Sequence, residues 1–426
     1  MTEQSILDLA DQLWTGAKSV KDHHPFSINQ GIEEVAPRTG FVPSFANVAA
    51  FDTDDGLVLV DTGSSFLAGQ VHKTIRTWNA EGLHTAVFTH GHIDHCFGVP
   101  IYEEESAGNG WRAPQVVAHE ALPARFDRYR ATAGYNGVIN QRQFQAPNLQ
   151  WPVDYRYPDV TYEDAMTLHV GGETFELFHG RGETDDATWV YCPSRKVLAG
   201  GDFFIWASPN AGNPQKVQRF ARDWANALRA MASKGAELLL PGHGVPIAGA
   251  DRVRQALSES AELLDYLHDE TLRMMNTGAS LDEIVHTVRA PSHLLERPYL
   301  RPVYDEPEFV VRNVWRLYGG WWDGDPSSLK PASRAAFAAE VVALSGGVDA
   351  VASRALALAE AGDDESLRLA GQLAQTAVDA DPSSKVAHAA RAEVFQRRVA
   401  AEASTMSKGV FSWTAAESRK VVDESP

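Results

Sequence analysis

The chain has 426 residues, of which 44% are hydrophobic and 22% are charged, and its formal net charge at pH 7 is −18. This is the composition of a folded protein, and the length predicts about two domains. The acidic balance argues against nucleic acid as a general partner, because a protein that binds phosphates needs a basic surface, although it does not exclude a local pocket for an anion.

The cysteine content and the N-terminus indicate where the protein works. Cys96 and Cys192 are the only cysteines, too few for a disulfide framework, so a reducing compartment is the simpler interpretation. The first residues, MTEQSILDLADQLW, contain no apolar run after a basic start, which argues against a signal peptide. No stretch approaches the ~18 apolar residues of a membrane span. We therefore expect a cytoplasmic protein without a membrane span.

The first part of the chain has the pattern of an α/β domain. Residues 1–22 have the apolar spacing of a short amphipathic helix. Further on, short apolar runs such as GLVLVDTG (56–63) and AELLLPGHG (236–244) end in glycine, histidine or aspartate. Helical patterns lie between several of these runs. Strands that alternate with helices indicate an α/β domain, in which functional residues lie at the carboxyl ends of strands.

The strand signal ends near residue 250. The segment that begins at Asp251 has the period of one long helix, with Gly278 as its stop. Residues 335–405 are rich in alanine and helical in pattern. We therefore predict an α/β domain over residues 1–250, followed by an all-α helical domain over residues 251–426.

A metal site is predicted from the stretch THGHIDHCFG, at positions 89–98. Histidine suits zinc, and carboxylates can complete its set of ligands. An alternative is a polar loop of surface histidines, but further ligand-type residues stand on glycine-flanked strand ends, where the backbone can approach closely. The candidate ligands are His90, His92, Asp94, His95, Glu183, Asp202 and His243.

This pattern resembles the metallo-β-lactamase superfamily, whose signature is the His-x-His-x-Asp-His found at 90–95. The later segments GDFF and PGHG match the superfamily as well. Glu183 stands where most members have histidine, but the alkylsulfatase branch also has glutamate there. That branch places its bridging carboxylate 19 residues later, as Asp202 is placed here. The resemblance implies an αββα sandwich for the α/β domain.

The resemblance continues beyond the metal motif. The segment at 301–331, which reads RPVYDEPEFVVRNVWRLYGGWWDGDPSSLKP, and the helical stretches after it look like the alkylsulfatase dimerisation domain. It implies a homodimer formed through the helical domain. The motif GGWWDG at 319–324 is compatible with an aromatic cage, but a core or dimer contact is favoured, because paired aromatic side chains bury a large apolar area.

For the site itself, the resemblance implies two zinc ions per chain, with Mn²⁺ or Fe²⁺ as other candidates. One ion would take His90, His92 and Glu183, the second would take Asp94, His95 and His243, and Asp202 would bridge both. A hydroxide held by two metals would be the nucleophile. Asp94 would orient the attacking water and pass on its proton, so that Asp94 and Asp202 are the predicted catalytic residues.

Other residues are predicted to support the site or bind substrate. Asp61, in LVLVDTG, corresponds to a buried aspartate that steadies the histidine loop; the alternative is a simple turn residue. A sulfate or another anion needs fixed donors, best supplied by arginine. The candidates are Arg219, Arg222, Arg142, Asn140 and Tyr135. The alternative for these is a solvated helix face.

The resemblance favours a binuclear metal-dependent hydrolase of alkyl sulfates or related esters. A second hypothesis keeps the metals but changes the substrate to a lactone, a carboxylic ester or a phosphoester. A third is redox chemistry at a di-iron site, which His92 and the lack of a visible flavin-binding domain disfavour. A fourth is a non-catalytic scaffold, which a complete ligand set opposes, because buried and uncompensated polar side chains are costly.

Overall fold

The computed structural model describes residues 5–27 and 31–424. The chain divides into two compact units. The sheet unit contains residues 1–133 and 151–320, and the helical unit contains residues 134–150 and 321–426. These units do not divide at residue 250, because the helices between 250 and 319 pack with the sheet unit. The predicted domain boundary at that residue stays a prediction.

Among the described residues, the sheet unit contains two sheets. The first has seven strands in chain order: β1 (Glu33–Ala36), β2 (Thr39–Val42), β3 (Val48–Thr53), β4 (Gly56–Val60), β5 (Leu83–Val87), β6 (Gln115–His119) and β7 (Val160–Tyr162). The second has six strands: β8 (Ala165–Val170), β9 (Glu173–His179), β10 (Thr188–Cys192), β11 (Val197–Ile205), β12 (Leu238–His243) and β13 (Ile247–Ala248). Strands β1 to β4 are antiparallel and β4 to β7 are parallel. Strands β11 and β12 form the parallel pair of the second sheet.

Helices connect the strands and form the second unit. In chain order the described helices are α1 (Ile6–Trp14), α2 (Ala68–Trp78), α3 (Val99–Asn109), α4 (Leu122–Ala131), α5 (Ala133–Phe144), α6 (Ala221–Ala232), α7 (Ala250–Met275), α8 (Leu281–Thr287), α9 (Ser292–Leu295), α10 (Pro307–Gly319), α11 (Pro326–Leu329), α12 (Arg334–Leu344), α13 (Val348–Ala361), α14 (Asp364–Ala380), α15 (Lys385–Ala401) and α16 (Thr405–Asp423). Helix α1 is shorter than the predicted 1–22 segment, and residues 1–4 lie outside the described residues.

The core of the sheet unit lies between the two sheets and beneath their helices. Strands β4, β10, β11 and β12 are buried along their whole length, as expected for strands covered on both faces. The two sheets are in direct contact. The centres of the Phe51 and Phe175 rings are 5.2 Å apart, and the backbone amide of Asn47 donates to the Gly242 carbonyl at 2.8 Å. The expected α/β fold with two stacked sheets is confirmed, and the range predicted for it, residues 1–250, stays a prediction.

The helical unit has a core of small side chains. Ala352, Ala377 and Ala390 are buried together with Val351 and Val378, so that neighbouring helices approach closely. Serine or aspartate side chains cap the N-termini of α12 and α14 to α16, where they satisfy free backbone amides. The predicted helical region is confirmed.

No single described helix is both long enough and apolar enough to span a membrane. Helices α12 and α13 are long and apolar enough only when they are taken together, and the chain bends by 88° between them.

Candidate metal centre

The histidine loop follows strand β5 and is held by Asp61 at the end of strand β4. Asp61 has a φ of 62°, a left-handed conformation that aspartate tolerates better than most residues. Its carboxylate accepts hydrogen bonds from the Thr89 amide and hydroxyl, both at 2.8 Å, and from His95 Nδ1 at 2.7 Å. These are the contacts that its predicted supporting role requires.

The second sheet contributes the remaining candidate ligands. Asp202 lies on β11 and His243 ends β12, its parallel neighbour, while Glu183 lies in the loop between β9 and β10. Gly242 allows the two strands to approach, because a Cβ atom there would lie 2.1 Å from Asp202 Oδ1. The fold therefore brings together all seven predicted ligand residues, which span positions 90 to 243 of the sequence.

One ligand group combines Asp94, His95 and His243, with Asp202 beside it. Asp94 Oδ2 lies 3.6 Å from His95 Nε2 and 3.5 Å from His243 Nε2. Asp202 Oδ1 lies 3.4 Å from each of the same two nitrogens. Ligand bonds of ~2.0–2.1 Å in a tetrahedron place neighbouring donor atoms ~3.3–3.4 Å apart. The spacing therefore fits a small divalent cation.

The other ligand group combines His90, His92 and Asp202. His90 Nε2 lies 2.8 Å from His92 Nδ1 and 3.7 Å from Asp202 Oδ2. Asp202 thus presents one carboxylate oxygen to each group, as its predicted bridging role requires. Glu183 lies at the edge of this group, with Oε1 3.8 Å from His92 Nδ1.

Glu183 has other partners in the structure. Its Oε1 accepts a hydrogen bond from Asn210 Nδ2 at 2.7 Å and lies 2.6 Å from Arg219 Nη1. Burial raises the pKa of Glu183 to about 8, and Arg219 opposes that shift. The Oε1 atom of Glu183, a predicted metal ligand, therefore faces both His92 and Arg219.

The histidine rings are fixed in orientation by their other nitrogen atoms. His90 Nδ1 lies 3.0 Å from the Thr89 hydroxyl, His95 Nδ1 donates to Asp61, and His243 Nδ1 donates to the Phe45 carbonyl. All three rings therefore turn Nε2 towards the carboxylates. Such partners set the tautomer and the aim of metal-binding histidines.

The electrostatics of the cluster suit a cation. Burial lowers the pKa of His90 to about 3 and that of His92 well below its usual range, which keeps both rings in the neutral form that binds metals. Burial opposes the ionisation of Asp202, but His243 and His95 outweigh it and hold its pKa well below the ordinary value. His95 Nε2 and Asp202 Oδ1 are buried without hydrogen-bond partners. These donors fit divalent metal ions.

A cationic side chain that sequence reasoning missed lies near the cluster. The Lys216 ammonium is 5.3 Å from the centre of the Trp151 ring, and Trp151 packs on Tyr129, which in turn packs on His92 at 6.2 Å. Burial and the nearby Arg219 lower the pKa of Lys216 to about 8. No described carboxylate lies within ion-pair distance of this ammonium. The only sequence signal was its position three residues before Arg219.

The predicted substrate residues fall into different surroundings. Arg219 is buried beside Glu183, and its Nε has no hydrogen-bond partner. Arg222 instead pairs with Asp265 and Asp269 on α7. The remaining predicted residues lie on α5 and belong to the helical unit: Tyr135, which is exposed, Asn140, which donates to the Asn136 carbonyl, and Arg142. Their substrate roles stay predictions.

Aromatic side chains cover the other side of the centre. The Phe26 ring is half-buried and lies 4.3 Å from the His243 ring. Tyr304 and Phe45 pack on Phe26 at 4.5 Å and 5.3 Å. We call these three residues, Phe26, Phe45 and Tyr304, the aromatic wall. The centre is thus bordered by cations near His92 and by an apolar surface near His243.

Two protein-family models match this chain. One, described as the metallo-beta-lactamase superfamily, matches residues 41–243, and this match contains all seven candidate ligands. The other, described as alkyl sulfatase dimerisation, matches residues 280–421. The order of the two matches agrees with the order of the predicted regions.

Individual relatives are alkylsulfatases. A linear primary-alkylsulfatase of Pseudomonas sp. (strain ATCC 19151) is 27% identical over 372 residues, which cover 81% of this chain and 69% of that protein. An (R)-specific secondary-alkylsulfatase of Pseudomonas sp. is 28% identical over 397 residues, which cover 86% of this chain and 59% of that protein. The chain therefore spans about three fifths to two thirds of the length of these relatives.

The fold agrees with a solved structure. The stereoselective inverting sec-alkylsulfatase Pisa1 from Pseudomonas sp. superposes with a TM-score of 0.82 at 24% identity, covering 93% of this chain and 66% of that one. The fold therefore matches over both the sheet region and the helical region. The two family matches therefore identify a metallo-β-lactamase superfamily region at residues 41–243 and an alkyl sulfatase dimerisation region at residues 280–421, and the chain that combines them is similar to alkylsulfatases.

Proposed function

We propose that the protein is a binuclear metal-dependent hydrolase that cleaves alkyl sulfate esters. The observation that carries this proposal is Asp202, whose two carboxylate oxygens face two different ligand groups. The proposed metals are two zinc ions per chain, with Mn²⁺ or Fe²⁺ as alternatives because carboxylates suit harder cations. Such a pair, when bound, supplies Lewis acidity and lowers the pKa of water.

The residues of the chain position the reactants. Asp94 is more exposed than the other ligands of its group, with 19% of its side chain accessible. We assign it the orientation of the attacking water and the removal of its proton. The buried histidines and Asp202 exclude bulk water from the centre, which strengthens each electrostatic contact within it.

The substrate is assigned from the two borders of the centre. Arg219 Nε is buried without a hydrogen-bond partner, and the Lys216 ammonium lies over the Trp151 ring. The charges of both residues act on His92, and these donors suit the sulfate group. The aromatic wall suits the alkyl group of the ester. The relatives are named as enzymes that act on alkyl sulfates, which supports this substrate class.

A second candidate substrate is an uncharged ester, in particular a lactone or a carboxylic ester. One observation favours it: the Nη1 donor of Arg219 is already paired with Glu183. Less of its positive charge is then free for an anion. A phosphoester would meet the same donors as a sulfate ester and is separated from it only by assay.

Two measurements on the same sample test the proposal. One is the metal content, determined by mass spectrometry, and the other is the release of sulfate from a short alkyl sulfate. We expect about two zinc ions per chain and sulfate release that a chelator abolishes. Arg219→Ala should remove sulfate release, whereas hydrolysis of a lactone should survive it. Two metals without sulfate release would move the proposal to uncharged esters. Purified protein that binds no metal would contradict it.

We also propose a homodimer formed through the helical region, supported by the alkyl sulfatase dimerisation match over residues 280–421. A cytoplasmic location is proposed because Cys96 and Cys192 are both free and buried, as in proteins of reducing compartments. Sedimentation measurements test the first proposal, and cell fractionation tests the second.

A further inference from the structure

A second buried carboxylate holds the histidine loop, at a different point from Asp61. Asp186 is fully buried, and its Oδ2 accepts a hydrogen bond from the Gly91 amide at 2.9 Å. Gly91 lies between His90 and His92, so this bond fixes the backbone that carries both rings. Asp61 instead binds Thr89 and His95.

Asp186 is itself held by a buried arginine. Arg125, on helix α4, is 3% exposed, and its Nε lies 2.7 Å from Asp186 Oδ1. Each of these charges would be costly to bury without the other. The contact leaves no free space at the loop, because a Cβ atom on Gly91 would lie 2.8 Å from Arg125 Cδ and 3.2 Å from Asp186 Oδ2.

The segment that carries Asp186 also carries Glu183 and joins the histidine loop a second time. The Thr188 amide donates to the Thr89 carbonyl at 2.7 Å. Residues 183–188 therefore hold the backbone of residues 89–91 at two points. One is a backbone hydrogen bond from Thr188, and the other is the bond from the Gly91 amide to the Asp186 carboxylate. This pairing sets where His90 and His92 stand relative to Glu183 and Asp202.

We propose that Asp186, oriented by Arg125, is the positioning residue of the ligand group formed by His90 and His92, whereas Asp61 binds His95 directly and reaches His90 only through the Thr89 hydroxyl. The inference rests on the metal centre in the proposed function, and it does not depend on which ester is hydrolysed. It assigns separate supporting carboxylates to the two halves of the centre, so that one half can be weakened without the other.

The test is zinc titration of the full-length protein carrying Asp186→Asn, with zinc content measured by mass spectrometry at each free zinc concentration. The matched control is Asp185→Asn. Asp185 pairs with the same Arg125, but its side chain is 47% accessible, and no described contact joins it to the loop. Both variants remove one charge next to Arg125. Only Asp186→Asn disturbs the contact with the loop, because the single acceptor oxygen of asparagine cannot replace both carboxylate oxygens, one facing the Gly91 amide and one facing Arg125.

We expect wild type to bind two zinc ions and Asp185→Asn to bind both with unchanged affinity. In Asp186→Asn we expect one zinc to bind as in wild type and the other 10- to 100-fold more weakly, about the effect of removing a partner that orients a metal-binding histidine. The visible spectrum of the cobalt-substituted protein gives a second readout. It should lose the contribution of one site in Asp186→Asn and retain it in Asp185→Asn.

If Asp186→Asn does not fold, the double variant Arg125→Met/Asp186→Leu replaces the buried pair by apolar side chains, a change that folds often tolerate. It should show the same loss of one zinc. Two zinc ions bound with wild-type affinity in either folded variant would overturn the inference, and so would equal weakening of both. Wild-type protein that binds no zinc would instead overturn the metal centre, so that the two failures are distinct.

Discussion

The Arg219 guanidinium and the Glu183 carboxylate form a buried ion pair, with Nη1 2.6 Å from Oε1. The same carboxylate oxygen lies 3.8 Å from His92 Nδ1. One residue was predicted to bind metal and the other to bind the anionic part of the substrate. Their pairing means that the two tasks are coupled, because a cation drawn to Glu183 and an anion drawn to Arg219 compete with the same internal contact.

Above pH 8, where Glu183 is ionised, removing Arg219 leaves a buried and uncompensated carboxylate, and stability is therefore compared at such a pH. We expect Arg219→Ala to lower the free energy of unfolding of the metal-free protein by about 3–5 kcal/mol, and zinc to restore part of this loss by supplying a new positive charge. Urea denaturation with and without zinc measures both effects. The matched control is Arg222→Ala, whose ion pairs are partly exposed and should contribute about 0–1 kcal/mol. Equal losses in the two variants would contradict this prediction.

Lys216 should make substrate binding depend on pH. With its pKa lowered to about 8 by burial and by Arg219, the ammonium is charged below that pH and neutral above it. KM for a short alkyl sulfate should therefore be lowest below pH 8 and should rise through pH 8 to 9. Loss of a charge-assisted hydrogen bond, about 1.5–3 kcal/mol, predicts a rise of about tenfold or more.

Two variants separate this effect from other titrations. Lys216→Arg should remove the rise in KM, because arginine stays charged throughout this range. Lys216→Met should give a high KM at every pH, with a smaller change in kcat. A rise in KM near pH 8 that persists in Lys216→Met would assign the titration to another group.

Zinc should stabilise the folded protein through Asp202. A ligand at 100 times its dissociation constant adds about 2.7 kcal/mol for each site, so Tm should increase with zinc concentration and fall after chelation. Asp202→Ala should abolish most of this increase, because Asp202 faces both groups, whereas Asp94→Ala should abolish about half. Differential scanning calorimetry measures the shifts. A zinc-dependent Tm that is unchanged in Asp202→Ala would remove the bridging assignment.

The aromatic wall should contribute to the binding of the alkyl group. Phe26→Ala should raise KM for alkyl sulfates increasingly with chain length, up to the ~1.5–3 kcal/mol of a buried phenylalanine, and should change the KM of the shortest substrate little. Phe66→Ala is the control. Phe66 is 69% exposed, so its removal should leave KM unchanged for both short and long alkyl sulfates. Steady-state kinetics over a series of chain lengths decides the point, and a uniform change in KM at all lengths would contradict it.

The sequence was sufficient to predict the fold class and the family. The His-x-His-x-Asp-His motif and the segments around Asp202 and His243 are local patterns. His243 ends its strand, as predicted, whereas Asp202 was predicted to end a strand and lies inside β11, which continues to Ile205. Long periodic segments such as that of Ala250–Met275 are also local, and the helix forms there.

Most partners of these residues are not local, and apart from Asp61, which the resemblance suggested, they were not predicted. Glu183 meets Arg219, and Gly91 meets Asp186, through contacts between chain segments far apart in sequence. A pattern of single residues does not reveal such pairs, because an arginine on a helix gives the same signal whether it faces solvent or a buried acid. Arg222 illustrates this: three residues from Arg219, it pairs with acids on another helix.

The seven predicted ligands come from both sheets of the sandwich: four follow β5 in the first sheet, and the other three lie in or between strands of the second. Metal ions bound by these residues would link chain segments about 150 residues apart and would hold the two sheets together. A substitution at Asp202 or His243 would therefore weaken the link between the two sheets, in addition to slowing the reaction.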